Sequence, residues 1–345
     1  MRQREDWIDL SRSIVMIMVI FGHIGSFLVG KGYQSSNLSV YFMATSAIKI
    51  PGFFVISGYL FNDRQGRWND FIKNKIIKIL VPYFFLGFIS MAMNVLIYMY
   101  HVGAWNEQVK LYFINYFKNY LLGKNLWFIP CLFVVEVIFF VIKKISKNNL
   151  LLIGFLSIAC CCAGYFWSKP EIAIPWRIDT ALICIFFLYL GFMLQSYPGF
   201  KGFILSFKGF IFSLIIYTGA GLLSYTMYGW KNLDVNRNYY YNFILCMFMI
   251  IAGTMLLFSF CKLLNSNRIL SFIGQNTLAY FAFHLFFVKI IYRFIVNWKF
   301  FDNCTSFMIK TFILCFITLI CMAPFIGFIN KYIPIIVGKN SRRKK

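Results

Sequence analysis

The stretch LSRSIVMIMVIFGHIGSFLV, residues 10–29, decides the fold. It is twenty residues long, and only Arg12 and His23 carry ionisable side chains. An α-helix needs about 20 mostly apolar residues to cross the hydrocarbon core of a bilayer. The stretch is too long for the apolar core of a signal peptide and lacks a small-residue cleavage site. We therefore predict a transmembrane helix that stays in the protein.

The composition of the chain extends this prediction to the whole protein. Hydrophobic residues make up 60% of its 345 residues, and charged residues only 13%. A soluble domain is about half apolar and about a quarter charged. The composition predicts an all-α polytopic membrane protein and excludes a soluble, disordered, collagen-like or disulfide-scaffold protein.

Further apolar runs predict ten transmembrane spans in total. They cover residues 10–29, 39–61, 79–101, 126–142, 150–167, 178–195, 209–228, 239–260, 277–296 and 306–329. No predicted loop is long enough for a folded soluble domain. We therefore predict a single membrane-embedded domain over residues 1–345, with a basic cytoplasmic tail over residues 330–345.

The net charge of +23 predicts topology rather than nucleic-acid binding. The Lys and Arg residues are scattered between apolar runs instead of being gathered on one face, so no nucleic-acid partner is expected. With the N-terminus inside, 20 of the 34 lie in cytoplasmic loops, nine in outer loops and five within spans. Cytoplasmic loops are enriched in Lys and Arg. The count predicts an even number of spans and two cytoplasmic termini.

The cysteines predict no metal site. Most of the ten lie inside apolar runs, where Cys behaves as a small hydrophobic residue. None shows the paired spacing of metal ligands. We expect no metal and no tightly bound cofactor.

Arg12 and His23 are the most informative charged positions. They lie eleven residues apart, which on one helix places them about 20° apart around the axis and about 16 Å apart along it. This arrangement suits a ligand with an anionic head at the cytoplasm and a reactive end that reaches inward. The alternatives are a topology anchor for Arg12 and an interhelical hydrogen bond for His23.

Other polar positions within or beside the spans are weaker candidates. Lys49 and Pro51 precede a glycine-containing run, which predicts a kink and close helix packing. Lys75 and Lys78 are three residues apart and either face phosphates together or act as ordinary cytoplasmic cations. The remaining candidates are the intramembrane groups Glu136, Asp179 and His284 and the interfacial aromatic residue Trp127.

Five motifs in order resemble the acyltransferase-3 family of integral membrane acyltransferases, especially its sugar O-acetyltransferase branch, which is fucose 4-O-acetylase-like. The motifs cover residues 7–12 with 21–23, 50–60, 75–83, 125–136 and 276–284. The resemblance runs from about residue 6 to 330. The sequence departs from the family pattern at Ser13, where Gly is usual, and at Lys49, where His is common.

The resemblance implies a donor, an acceptor and a location. The donor is a cytoplasmic acyl-CoA, usually acetyl-CoA, and the acceptor is a hydroxyl of a cell-surface polysaccharide or lipid-linked sugar. The location is a bacterial cytoplasmic (inner) membrane. Many relatives carry an extra soluble hydrolase-like domain after the last span. Since this sequence ends without one, a separate partner protein is expected for any second transfer step.

The resemblance also assigns roles to the candidate residues. His23 is expected to act as general base on the acceptor hydroxyl or as nucleophile. Glu136 or Asp9 is expected to orient Arg12 and His23 or to balance their charge. Arg12, Lys75 and Lys78 are expected to bind the phosphates of coenzyme A. Further substrate contacts are expected from Ser57, Trp127 and His284.

A transporter is the main alternative. An exporter of a polysaccharide or of a lipid-linked sugar, without acyl-transfer activity, would also need many spans and buried charges. Such carriers usually contain internal repeats with interrupted helices at matching positions. The two halves of this sequence have no obvious self-similarity, which favours the enzyme.

Overall fold

A computed structural model describes residues 5–35, 37–63, 67–168, 174–265, 267–297 and 306–338. Within these ranges the chain forms helices and turns, and its only β-type pairing is an isolated bridge between Asp234 and Tyr239. The all-α prediction is confirmed. The end of the predicted basic tail, residues 339–345, lies outside the described residues.

The described ranges contain fourteen α-helices. In chain order they are α1 Asp6–Gly30, α2 Asn37–Tyr59, α3 Trp68–Lys75, α4 Val81–Val102, α5 Glu107–Leu121, α6 Phe128–Ile145, α7 Leu150–Trp167, α8 Ile178–Ser196, α9 Pro198–Ile204, α10 Phe207–Tyr228, α11 Phe243–Leu263, α12 Arg268–Gln275, α13 Thr277–Ile295 and α14 Phe307–Tyr332. A π-helical turn, Ile76–Leu80, joins α3 to α4. Short 3₁₀ turns cover Pro175–Arg177 and Pro334–Val337.

Nine helical segments of the described chain are long and apolar enough to cross a membrane. They are α1, α2, α3 with α4, α7, the Pro175–Arg177 turn with α8, α10, α11, α13 and α14. The predicted fourth span, 126–142, is not among the nine. It corresponds to α6, whose 18 residues include the charged side chains of Glu136, Lys143 and Lys144. The number ten and the placement of the termini therefore stay predictions.

Four short helices lie where the sequence predicts loops. These are α3, α5, α9 and α12, of 7 to 15 residues. A search for twenty-residue apolar runs does not detect them, because each is too short or too polar. The longest, α5, packs along α4: Tyr112 stacks on Tyr98, and Tyr120 stacks on Tyr83. Because higher numbers on α5 meet lower numbers on α4, the two helices run antiparallel.

The described helices fall into two compact units. The first contains Met1–Asp63, Val135–Ile172 and Asp179–Thr277, and the second contains Arg64–Val134, Ala173–Ile178 and Leu278–Lys345. Whether they act as one domain stays a prediction.

Two glycines hold α2 against α8 inside the first unit. A Cβ on Gly58 would lie 1.8 Å from the carbonyl oxygen of Leu188, and a Cβ on Gly191 would lie 1.8 Å from the carbonyl oxygen of Val55. Real Cβ atoms do not approach backbone atoms so closely. The helices meet backbone to backbone, as small residues allow in membranes.

Replacing Gly191 with Ala is expected to lower the free energy of unfolding by about 1–3 kcal/mol, because the added methyl group meets rigid backbone. The measurement is thermal unfolding in detergent. Gly219→Ala in α10 is the matched control, since nothing lies within 4 Å of its Cβ position. Equal melting temperatures for the two variants would contradict the close approach.

The start of α1 is anchored by a cluster around Glu5. Its carboxylate accepts hydrogen bonds from the Tyr59 hydroxyl at 2.7 Å and the Trp7 indole at 2.6 Å. The ammonium of Lys201 in α9 lies 3.0 Å from the same carboxylate. Burial alone would raise the pKa of Glu5, but these three donors together hold it below its ordinary value of 4.5.

This depressed pKa predicts an acid-sensitive contribution to stability. Because the folded pKa of Glu5 lies below the unfolded one, the stabilisation is complete above pH 4.5 and is lost as the pH falls through the folded pKa. Glu5→Gln should therefore melt lower than wild type at neutral pH, and the difference should shrink on acidification. Glu107→Gln, at an exposed carboxylate, is the control. A difference that is independent of pH would contradict the ionic origin.

Candidate active site

Helix α1 carries both Arg12 and His23 without interruption. His23 lies 17 residues after the first residue of α1 and seven before the last, about 26 Å and about 10 Å along the axis. The imidazole is therefore nearer the C-terminal end of α1 than its middle. Arg12 is half-buried, whereas His23 is exposed. The two predicted residues thus lie on one continuous helix with different surroundings.

Helix α12 packs tightly on α1 beside Arg12. A Cβ on Gly274 would lie 2.0 Å from the carbonyl oxygen of Asp9. The hydroxyl of Ser13 lies within hydrogen-bond distance of the carbonyl oxygens of Asp9 and of Leu270 in α12, and these two acceptors share its one proton. Ser13, one of the two departures from the family pattern, therefore joins α1 to α12 through its side chain.

Helix α2 passes His23 on the side of Gly22. A Cβ on Gly22 would lie 3.0 Å from the Phe42 ring and 3.6 Å from the Nζ atom of Lys49. The hydroxyl of Tyr41 donates to the carbonyl oxygen of Met18, which holds the start of α2 against α1. Lys49 is therefore placed beside the segment of α1 that carries His23.

Lys49 is surrounded by aromatic rings. Its Nζ atom lies 4.3 Å from the centroid of the Phe42 ring and 5.8 Å from that of Tyr41. Lys49 and Asp234 are both close enough to act electrostatically on His23. An imidazole, an ammonium and a carboxylate thus influence one another within the first unit.

Asp234 lies in the segment between α10 and α11, and its position is well defined. Its carboxylate accepts from the backbone N–H groups of Asn236 at 2.9 Å and Arg237 at 3.3 Å. The amide of Asn238 donates to the carboxylate of Asp179 in α8 at 2.8 Å. Sequence reasoning missed Asp234 because it lies in no motif. Its spacing before Asn236 and Arg237, typical of an Asx-turn, was the available signal.

The other predicted residues of the first unit are Glu136 and Ser57. Glu136 is buried in α6, and Ser57 is half-buried in the last turn of α2. Their roles toward His23 and the substrate stay predictions.

Four predicted residues lie in the second unit. Lys75 places its ammonium 5.3 Å from the centroid of the Phe71 ring, and Lys78 is exposed. The π-helical turn begins directly after Lys75. The prediction that Lys75 and Lys78 share one face assumed α-helical spacing, which does not hold in this turn. Trp127 lies in the turn before α6. Phosphate binding by the two lysines and substrate binding by Trp127 stay predictions.

His284 is buried in α13. Its Nδ1 atom lies 2.9 Å from the carbonyl oxygen of Phe281 and 3.2 Å from that of Tyr280. Because carbonyl oxygens only accept, Nδ1 carries the proton in this arrangement. Its predicted role in substrate binding stays a prediction.

The three histidines of the chain are expected to differ in reactivity. His23 and His101 are exposed, whereas His284 is 3% exposed. Labelling with diethylpyrocarbonate, followed by mass spectrometry of peptides, should modify His23 and His101 and spare His284. A His23 that stays unlabelled while His101 reacts would mean that its exposed surface faces lipid rather than water.

A family model described as an acyltransferase domain matches residues 5–327 of the chain. The match begins at the anchored start of α1 and ends inside α14. It therefore includes Arg12, His23, Lys49 and Asp234. Neither the curated proteins nor the solved structures contain a match.

Proposed function

The chain belongs to the acyltransferase-3 family of membrane acyltransferases, and on this premise we propose that it is an O-acetyltransferase. It moves an acetyl group from cytoplasmic acetyl-CoA to a hydroxyl of a cell-surface polysaccharide or lipid-linked sugar. Its location is a bacterial cytoplasmic membrane.

The observation that carries this proposal is that Arg12 and His23 lie on one continuous helix, α1. Coenzyme A is polyanionic, and a guanidinium binds phosphate through charge-assisted, often bidentate hydrogen bonds. A donor bound at Arg12 extends its thioester toward His23, about 16 Å along the same helix. Lys75 and Lys78 supply further positive charge for the phosphates. Ser57, Trp127 and His284 are the other residues for which we propose substrate contacts.

His23 is the general base in this mechanism. An imidazole suits proton transfer near neutral pH, and general-base catalysis contributes roughly 10²–10⁴-fold in rate. His23 removes the proton from the acceptor hydroxyl as its oxygen attacks the thioester carbonyl. Glu136 orients His23 or balances the charge that develops on it.

Substitutions at the two ends of this arrangement should separate binding from turnover. Arg12→Ala should weaken acetyl-CoA binding roughly 10–100-fold, because it removes a hydrogen bond to a charged group. His23→Ala should bind acetyl-CoA normally and lose turnover by roughly 10²-fold or more. The measurements are acetyl-CoA binding and CoA release by purified protein in nanodiscs with an added sugar acceptor.

His101→Ala is the matched control, because it removes an exposed imidazole from a different helix. It should retain wild-type binding and turnover. Full activity in His23→Ala would refute the role of His23. A wild-type protein that neither binds nor consumes acetyl-CoA, nor a longer acyl-CoA, would favour the transporter instead.

A further inference from the structure

We propose that Lys49 is a catalytic residue, whose ammonium stabilises the oxyanion that forms on the acyl carbonyl beside His23. This inference rests on the proposed acyl transfer and adds a second reacting group to it. It concerns one of the two positions at which this sequence departs from the family pattern.

Lys49 occupies the right place for this role. It projects from α2 toward α1 at Gly22, the residue that directly precedes His23, with 3.6 Å between its Nζ atom and the Cβ position of Gly22. The charge of Lys49 acts on the ring of His23. A carbonyl carbon attacked by a hydroxyl at His23 therefore has an ammonium nearby for its oxygen.

The environment of Lys49 leaves its hydrogen-bond donors available. A charged side chain within a span is costly and almost always pairs with another charge or with backbone carbonyls. Among the described residues Lys49 forms no ion pair within 4 Å, and its ammonium lies over the faces of the Phe42 and Tyr41 rings. A cation–π contact stabilises the charge. An ammonium has three N–H donors, and this contact uses none of them in a hydrogen bond to an oxygen.

Asp234 balances the charge of Lys49 without forming an ion pair with its ammonium. Its field acts on both Lys49 and His23. Its carboxylate is held by backbone N–H groups of its own turn and lies 3.8 Å from the guanidinium of Arg237. The site thus contains a counter-charge at a distance, and the ammonium remains available to a developing anion.

The reaction balances with these groups. The acceptor oxygen forms a bond to the thioester carbon while its proton passes to His23, and the carbonyl electron pair moves to oxygen. An N–H of Lys49 donates to that oxyanion. When the carbonyl re-forms, the carbon–sulfur bond breaks and the thiolate takes the proton from His23. The products are the acylated acceptor and free coenzyme A.

The decisive experiment compares Lys49→Met with Lys49→Arg in nanodiscs, with acetyl-CoA and the sugar acceptor. Methionine keeps an unbranched apolar chain and removes the charge, whereas arginine keeps the charge. Loss of one oxyanion donor typically lowers kcat by about 10²–10³-fold. Lys49→Met should show that loss with the KM for acetyl-CoA unchanged, and Lys49→Arg should recover part of kcat.

Lys31→Met is the matched control, since Lys31 also lies over a ring, 5.7 Å from the centroid of Phe27, at the end of α1. It should keep wild-type kcat. If Lys49→Met fails to insert, Lys49→Gln provides the same comparison. Wild-type kcat in the neutral variant would overturn this proposal alone. Equal loss in Lys49→Met and Lys49→Arg, with lowered melting temperatures, would also overturn it. A wild type that consumes no acyl-CoA would overturn the proposed function as well.

Discussion

The absence of hydrogen-bond partners in the bilayer core is the constraint on which this structure depends. Every backbone N–H and C=O group within the hydrocarbon must be satisfied inside the protein, and a helix does this within its own segment. Helices that are apolar on all sides gain little from one another by the hydrophobic effect, so their association depends on close packing. The backbone contact of α2 with α8 at Gly58 and Gly191 is one such contact. The same constraint makes every charge at that depth costly, which is why the few that exist indicate function.

Most of the helical framework follows from the sequence because spanning a bilayer requires long apolar runs. Nine of the ten predicted spans correspond to segments that meet this requirement. The fourth fails because Glu136, Lys143 and Lys144 lie in a helix of only 18 residues. The short helices escape prediction for a related reason. Helix α5 is stabilised by packing against α4 through residues such as Val109 and Tyr120, and tertiary packing of this kind leaves no apolar run in the sequence.

The site is less predictable, because only part of it lies on one element. The relation of Arg12 to His23 follows from helical periodicity, since both residues belong to α1. The position of Lys49 beside Gly22, the residue before His23, depends on how α2 crosses α1. The position of Asp234 depends on a turn held by its own carboxylate and on the link from Asn238 to Asp179. Neither position follows from local spacing. The sequence marks Lys49 only as a departure from the family pattern, and it marks Asp234 only as the start of a turn.

Position 49 carries Lys where His is common in the family, and this difference changes the hydrogen bonds that its side chain can form. A neutral imidazole both donates and accepts hydrogen bonds, whereas an ammonium only donates. A lysine that keeps its proton is unsuited to take one from a hydroxyl, so proton abstraction is left to His23. The ammonium of Lys49 is well suited to bind an oxygen that gains negative charge, because this interaction strengthens as the transition state forms. Such differential binding of the transition state accelerates a reaction. The contacts of Lys49 with the Phe42 and Tyr41 rings support this division, since the face of a ring stabilises a cation without forming a hydrogen bond to an oxygen.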